Sequence, residues 1–155
     1  MRDPLLARFD RGREDLMDPM TLTFDVLADD FSRAGEASSS VKSVLKQLGV
    51  SPEIVRRAAI AMYEGEINMV IHAKGGKITV NVLPDEISIM LEDVGPGIPD
   101  IALAMTEGYS TATEQVRNLG FGAGMGLPNM KKYADDIDVK SVLGVGTTVS
   151  MIIKV

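Results

Sequence analysis

The feature that most constrains this chain is a pair of alternating segments on either side of a short turn. Lys77-Ile78-Thr79-Val80-Asn81-Val82 places apolar side chains at every second position, and Ile87-Ser88-Ile89-Met90-Leu91 follows the turn pair Pro84-Asp85. Segments of this kind, joined so closely, predict an antiparallel hairpin. The second strand runs into Glu92-Asp93-Val94-Gly95-Pro96-Gly97-Ile98-Pro99. The hairpin therefore delivers the carboxylate of Asp93 to a strand end, where the backbone opens into a turn with two glycines.

The other elements follow from the same periodicities. Residues 22–26 alternate and read as a half-buried strand. Ala34, Ala37, Val41, Val44, Leu45 and Leu48 recur at steps of three and four, one face of a helix closed by Gly49. Ser38 to Ser40 are read as its solvated side. Ser51-Pro52-Glu53 starts a second helix: Ser51 can cap free amides, Pro52 suits the first turn and Glu53 favours the positive end of the dipole. That helix runs to about Ala73 and carries Glu64, Asn68 and His72 along one side. Glu66, two residues on from Glu64, is expected to face elsewhere and meet solvent. Gly75-Gly76 ends the helix. Residues 101–105 suggest one helical turn within a weakly patterned stretch, Pro128 begins a helix to about Ala134, and 137–142 and 148–155 read as strands. The sum is about five strands and three principal helices. This predicts an α+β, two-layer α/β sandwich with a mixed, mostly antiparallel sheet and its helices on one face.

At 155 residues the chain suits one domain. Residues 1–20 are charged, without sustained period, and are expected to be a flexible N-terminal tail before a domain spanning 21–155. The formal net charge of −6 argues against a nucleic-acid partner and against docking on anionic lipid. Cysteine is absent, which removes disulfides and thiolate metal sites and suits a cytoplasmic location. There is neither a signal-peptide pattern at the N-terminus nor a run of the roughly 18 apolar residues that a membrane helix needs.

Three features can carry chemistry. Gly120-x-Gly122-x-Gly124-x-Gly126 runs into Leu127-Pro128 and a helix start. Glycines let amides approach an anion, and a helix N-terminus adds a positive dipole end. No Lys-Ser/Thr pair follows, so this is not a Walker A loop, and its position excludes the dinucleotide fingerprint. Asp93 could accept a hydrogen bond from an exocyclic amine such as adenine's, or simply shape a turn. Glu64 could take a proton from a hydroxyl or water. Asn68 offers an amide oxygen suited to Mg²⁺, although an E-x-x-x-N spacing also describes an ordinary solvated helix face. One His and no Cys argue against a zinc site, and His72 reads as structural rather than catalytic.

Taken in order, Glu64-x-x-x-Asn68, Asp93-x-Gly95-x-Gly97, Gly122-x-Gly124-x-Gly126-Leu127 and Gly144-x-Gly146-Thr147-Thr148 resemble the N, G1, G2 and G3 boxes of the GHKL ATPase superfamily of gyrase, MutL and histidine kinases. The form Gly126-Leu127-Pro128-Asn129-Met130-Lys131-Lys132 looks most like its anti-sigma factor and serine-protein kinase branch. The resemblance covers residues 21–155 and implies the Bergerat α/β sandwich. It implies ATP and Mg²⁺ as cofactors, with Asn68 as the metal ligand and Glu64 as general base toward an acceptor serine. It makes Asp93 the adenine acceptor, with Gly97 allowing the base to approach and Thr147 supporting the adenine water network. Gly95 and Ile98 join the adenine side, and Gly122, Gly124, Gly126 and Leu127 the phosphate side. Residues 99–119 would be the ATP lid. The implied partner is an antagonist protein carrying the serine, with a sigma factor as a further partner, and a homodimer is compatible with the family. The competing readings are an ATP-gated module that sequesters a regulator without phosphotransfer, and a detached histidine-kinase catalytic domain.

Overall fold

The computed structural model describes residues 20–28, 30–106 and 126–155. Strand β1 (Met20–Val26) is followed by a 3₁₀ turn (Phe31–Arg33), helices α1 (Glu36–Gln47) and α2 (Pro52–His72), and strands β2 (Gly76–Val82) and β3 (Glu86–Asp93). A one-turn helix α3 (Ile101–Ala104), helix α4 (Gly126–Tyr133) and strands β4 (Asp136–Val142) and β5 (Gly146–Lys154) complete the described residues.

The strands form one sheet in the order β1-β2-β3-β5-β4. All four pairings are antiparallel, which corrects the expectation of a mixed sheet. Two consecutive helices carry the chain along the sheet and back, so β2 begins where β1 ended and Val26 pairs with Gly76. Of the other neighbours, β2–β3 and β4–β5 are joined by tight turns, and a short connection of that kind can only reverse the chain, while β3 and β5 pair across a longer connection.

Alternation decides which face meets the helices. Ile78, Val80 and Val82 of β2, Ile87, Ile89 and Leu91 of β3, and Val149, Met151 and Ile153 of β5 are buried in one core with Val41, Leu45, Met62, Val70 and Met130 of the helices. Removing each large side chain from water contributes about 1.5–3 kcal/mol. Helix α2 lies across this face, flanked by α1 and α4. The architecture is the two-layer α+β sandwich.

The helix ends refine the sequence reading. Gly49 closes α1 as expected: its φ is 79°, its N–H reaches the Lys46 carbonyl at 3.1 Å and that of Val50 the Leu45 carbonyl at 3.1 Å. This is the Schellman pattern. Helix α1 starts at Glu36 rather than Ala34, which is extended. Pro52 occupies the first turn of α2, but the Ser51 side chain makes no capping bond; only its carbonyl is used, by Val55 N–H at 3.0 Å. Helix α4 begins at Gly126, two residues before Pro128.

Two expectations about solvent are overturned together. Glu66 is buried, at 3% exposure, and so, of the three serines, is Ser38, at 5%, while Ser39 and Ser40 are exposed as expected. Helix α1 has a glycine at its N-cap and no local side-chain cap. The Glu66 carboxylate takes that place from α2, with Oε2 accepting from Gly35 N–H (3.0 Å) and Ala37 N–H (3.2 Å), and Oε1 from Ser38 N–H (3.1 Å). A buried carboxylate is tolerable where several donors and a helix N-terminus face it.

Candidate functional site

The half-buried polar side of α2 carries Glu64 and Asn68, one turn apart. The first turn of α4 lies against both. Asn129 Nδ2 donates to Glu64 Oε1 at 3.1 Å. Gly126 approaches Asn68 so closely that a Cβ there would sit 2.7 Å from Nδ2 and 2.8 Å from Oδ1. Among the described residues, neither Glu64 Oε2 nor the Asn68 amide makes a hydrogen bond, so both keep polar capacity for a ligand. His72 continues this side of α2; burial lowers its imidazole below the ordinary value, which keeps it neutral at physiological pH.

Asp93 ends β3 beside the start of β5. Its Oδ1 accepts the backbone N–H of Thr147 at 2.9 Å. Burial raises its carboxyl above the usual carboxylate value, and the Thr147 N–H pulls it partly back. Oδ2 accepts no hydrogen bond among the described residues. The glycine turn that follows is sewn to the β4–β5 hairpin: Gly95 N–H donates to Val145 O (3.0 Å) and Gly144 N–H to Pro96 O (2.9 Å). Gly97 has φ 79°, and a Cβ would meet Val142 O at 2.8 Å and Ser141 Oγ at 3.0 Å, so no other residue fits without moving the turn. Ile98 N–H donates to Ser141 Oγ at 2.7 Å.

The two clusters share α2. Its last turns reach the glycine turn, where Lys74 N–H donates to Val94 O at 2.6 Å and a Cβ on Gly95 would lie 3.1 Å from Ala73 Cα. From Ala73 back to Glu64 is nine residues, roughly 13 Å of helix. Asp93 thus lies near the C-terminal end of α2, and α4 meets Glu64 and Asn68 further back along it.

The remaining sequence candidates take particular places. Leu127 is buried in the core, which leaves only its backbone for a phosphate. Gly95 spends its N–H on Val145, so it packs rather than donates. Ile98 packs partly against the core. Gly122 and Gly124, with residues 107–119 of the expected lid, lie outside the described residues. Three residues take roles that the sequence reading did not assign them: Glu66, expected in solvent, caps α1; Asn129, quoted only as part of a motif, holds Glu64; and Ser141 holds the glycine turn. The missing local cap at Gly35 was one signal for the first; isolated polar residues inside regular elements carry little.

A Bergerat-type sandwich with an acidic strand end, a glycine turn and a paired carboxylate and amide on its central helix defines an ATP-binding class of protein. In agreement, the family described as "Histidine kinase-, DNA gyrase B-, and HSP90-like ATPase" matches residues 53–155, and the chain belongs to it. It is 34% identical over 115 residues to "Serine/threonine-protein kinase RsbT" of Bacillus subtilis, covering 72% of this chain and 80% of that protein. It is 34% identical over 120 residues to "Anti-sigma F factor" of Caldanaerobacter subterraneus, covering 74% and 80%. The fold is similar to the crystal structure of the RsbU and RsbW domains of Rv1364c from Mycobacterium tuberculosis, with a TM-score of 0.56 and 13% identity. That match covers 88% of this chain and 32% of the other. No helix among the described residues is long and apolar enough to cross a membrane.

Proposed function

We propose that this protein is an ATP-binding, anti-sigma-factor-like regulatory kinase that transfers the γ-phosphate of ATP to a serine of a partner antagonist protein in the cytoplasm. The observations that support the reading are the placement of Glu64 and Asn68 against the first turn of α4, and the Asp93–Thr147 pair in the strand end whose glycine turn packs at the C-terminal end of α2. The kinase and anti-sigma names of the two relatives support the choice of reaction.

In this reading Asp93 Oδ2 accepts the adenine amino group, and Gly97 keeps the wall beside the base free of a side chain. Gly126 lets the start of α4 lie directly against the Asn68 amide, where a Cβ would clash, so in this reading a phosphate lies beside both. The described residues hold no group of three or more His, Cys, Asp or Glu that could cage a metal. The Asn68 amide oxygen therefore suits Mg²⁺ whose other ligands are water and phosphate oxygens. When bound, the ion neutralises charge on the transferring group. Glu64 Oε2 receives the serine hydroxyl proton, while Oε1 stays tied to Asn129. The serine oxygen bonds to the γ-phosphorus, and the bond from phosphorus to the ADP oxygen breaks with its electron pair leaving on ADP.

The test is capture of partners on the immobilised full chain with and without Mg-ATP, followed by mass spectrometry for phosphoserine on the captured protein. Phosphoserine formed by this chain and lost with Glu64→Ala supports the kinase. ATP-dependent capture with no phosphoserine would instead favour the sequestering module.

A further inference from the structure

Ser141 of β4 lies at the junction of the two parts of the adenine side. Its Oγ accepts Ile98 N–H at 2.7 Å, the shortest tie between the glycine turn and the sheet. The same oxygen lies 2.9 Å from Thr147 Oγ1 and 3.3 Å from the carbonyl of Gly146. Thr147, in turn, grips Asp93 through its N–H. Three hydrogen bonds therefore connect the turn beyond Asp93 to Asp93 itself, by a route through β4 and β5. Thr147 is 7% exposed and Ser141 half-buried, so these contacts are largely shielded from bulk water.

The distances admit Ser141 giving its proton either to the Gly146 carbonyl or to Thr147 Oγ1, and the second arrangement is the one that frees the Thr147 hydroxyl to donate. The Ser141 oxygen already accepts from Ile98 and has one proton to give. Thr147 Oγ1, at 2.9 Å, is a better-placed acceptor than the carbonyl at 3.3 Å. With that proton received, the Thr147 hydroxyl keeps its own proton for donation. Adenine presents on its pairing edge an amine donor and a ring-nitrogen acceptor; guanine presents a carbonyl acceptor and a ring N–H donor. A carboxylate acceptor next to a hydroxyl oriented to donate matches the first and opposes the second, because a site built to pair specific donors rejects the ligand that leaves them unpaired.

We infer that Ser141 is a positioning residue for purine selectivity: it orients the Thr147 hydroxyl and anchors the Gly97–Ile98 turn, so that Asp93 and Thr147 together read adenine rather than guanine. This rests on the reading of Asp93 as the adenine acceptor. Ser141 itself touches no ligand in this account.

The experiment is calorimetric titration of the full chain and of Ser141→Ala, Ser141→Thr and Ser141→Val with the magnesium complexes of ATP, GTP and inosine triphosphate, with thermal unfolding of each variant. The wild type is expected to prefer ATP over the two 6-oxo nucleotides. Ser141→Ala and Ser141→Val are expected to lose about tenfold in ATP affinity with less than twofold change for GTP and inosine triphosphate, since about 1.4 kcal/mol of paired hydrogen bonding separates them. Ser141→Thr, which keeps the hydroxyl, is expected to restore the preference. A general loosening of the fold would weaken all three nucleotides together and would overturn the inference. So would an ATP-over-GTP ratio in Ser141→Ala equal to that of the wild type, which leaves the adenine site standing. A wild type that binds no ATP, or binds all three alike, would overturn the underlying reading and the inference with it.

Discussion

The carboxylate of Glu66 accepts the backbone N–H of Ser38 at 3.1 Å, and with it those of Gly35 and Ala37, across the interface between α2 and α1. One side chain on the helix that carries Glu64 and Asn68 thus serves as the N-cap of its neighbour. The sequence separation of 28 residues makes this a tertiary cap, and it fixes α1 against α2. Glu66→Ala leaves three amides of a buried helix start without an acceptor. The expected loss is about 2–4 kcal/mol of unfolding free energy. Urea denaturation measures it, and a change below about 0.5 kcal/mol, the range of ordinary surface substitutions, would mean that water replaces the cap.

Asp93 gives a prediction with a definite sign. Burial holds its folded-state value above 3.8, outweighing the Thr147 N–H. The native chain therefore binds this proton more tightly than the unfolded chain. Its ionisation opposes folding in full above the raised value; that penalty shrinks as pH falls toward 3.8 and is gone below it. Asp93→Asn imitates the protonated form. It is expected to melt higher than the wild type at pH 7, with the difference closing near about pH 3, and to bind ATP worse at pH 7. A lower melting temperature for Asp93→Asn at pH 7 would contradict this.

Gly126→Ala separates site from scaffold. The added methyl would press on the Asn68 amide at 2.7–2.8 Å, and that side chain makes no hydrogen bond among the described residues that would hold it in place. The expected result is a Mg-ATP affinity lower by about tenfold or more, with a urea midpoint close to that of the wild type. Unchanged affinity would show that neither Gly126 nor Asn68 borders the phosphates.

Glu64→Ala is expected to keep Mg-ATP affinity within about twofold while phosphotransfer falls by about 100-fold or more, the usual size of a general-base contribution. Single-turnover transfer from labelled ATP to the captured partner measures it. Equal rates would remove Glu64 as the base.

Much of this was legible in the residues. Alternation gave the β2–β3 hairpin and the position of Asp93, and the Pro52 and Gly49 signals placed helix ends to within a residue or two. The polar partners were harder. Glu66 sits off the pocket side of α2, and the usual inference from spacing sends such a residue to solvent. That inference fails because α2 has neighbours on several sides: α1, α4 and the sheet all pack on it. Its Ala58, Ala61 and Gly65, each buried, were the available hint that the helix is enclosed. Ser141 reads in sequence as one polar position of an alternating strand. Its role appears only when the glycine turn folds over onto β4.

The central claim is that Asp93 and the polar pair on α2 serve one nucleotide. Calorimetric titration of Mg-ATP into the full chain and into Asp93→Asn tests it most directly. Binding in the micromolar range by the wild type and an affinity weaker by about 1.4 kcal/mol or more, tenfold, in the variant is the expected result. No heat with the wild type at millimolar ATP, or equal affinity in Asp93→Asn, would contradict it.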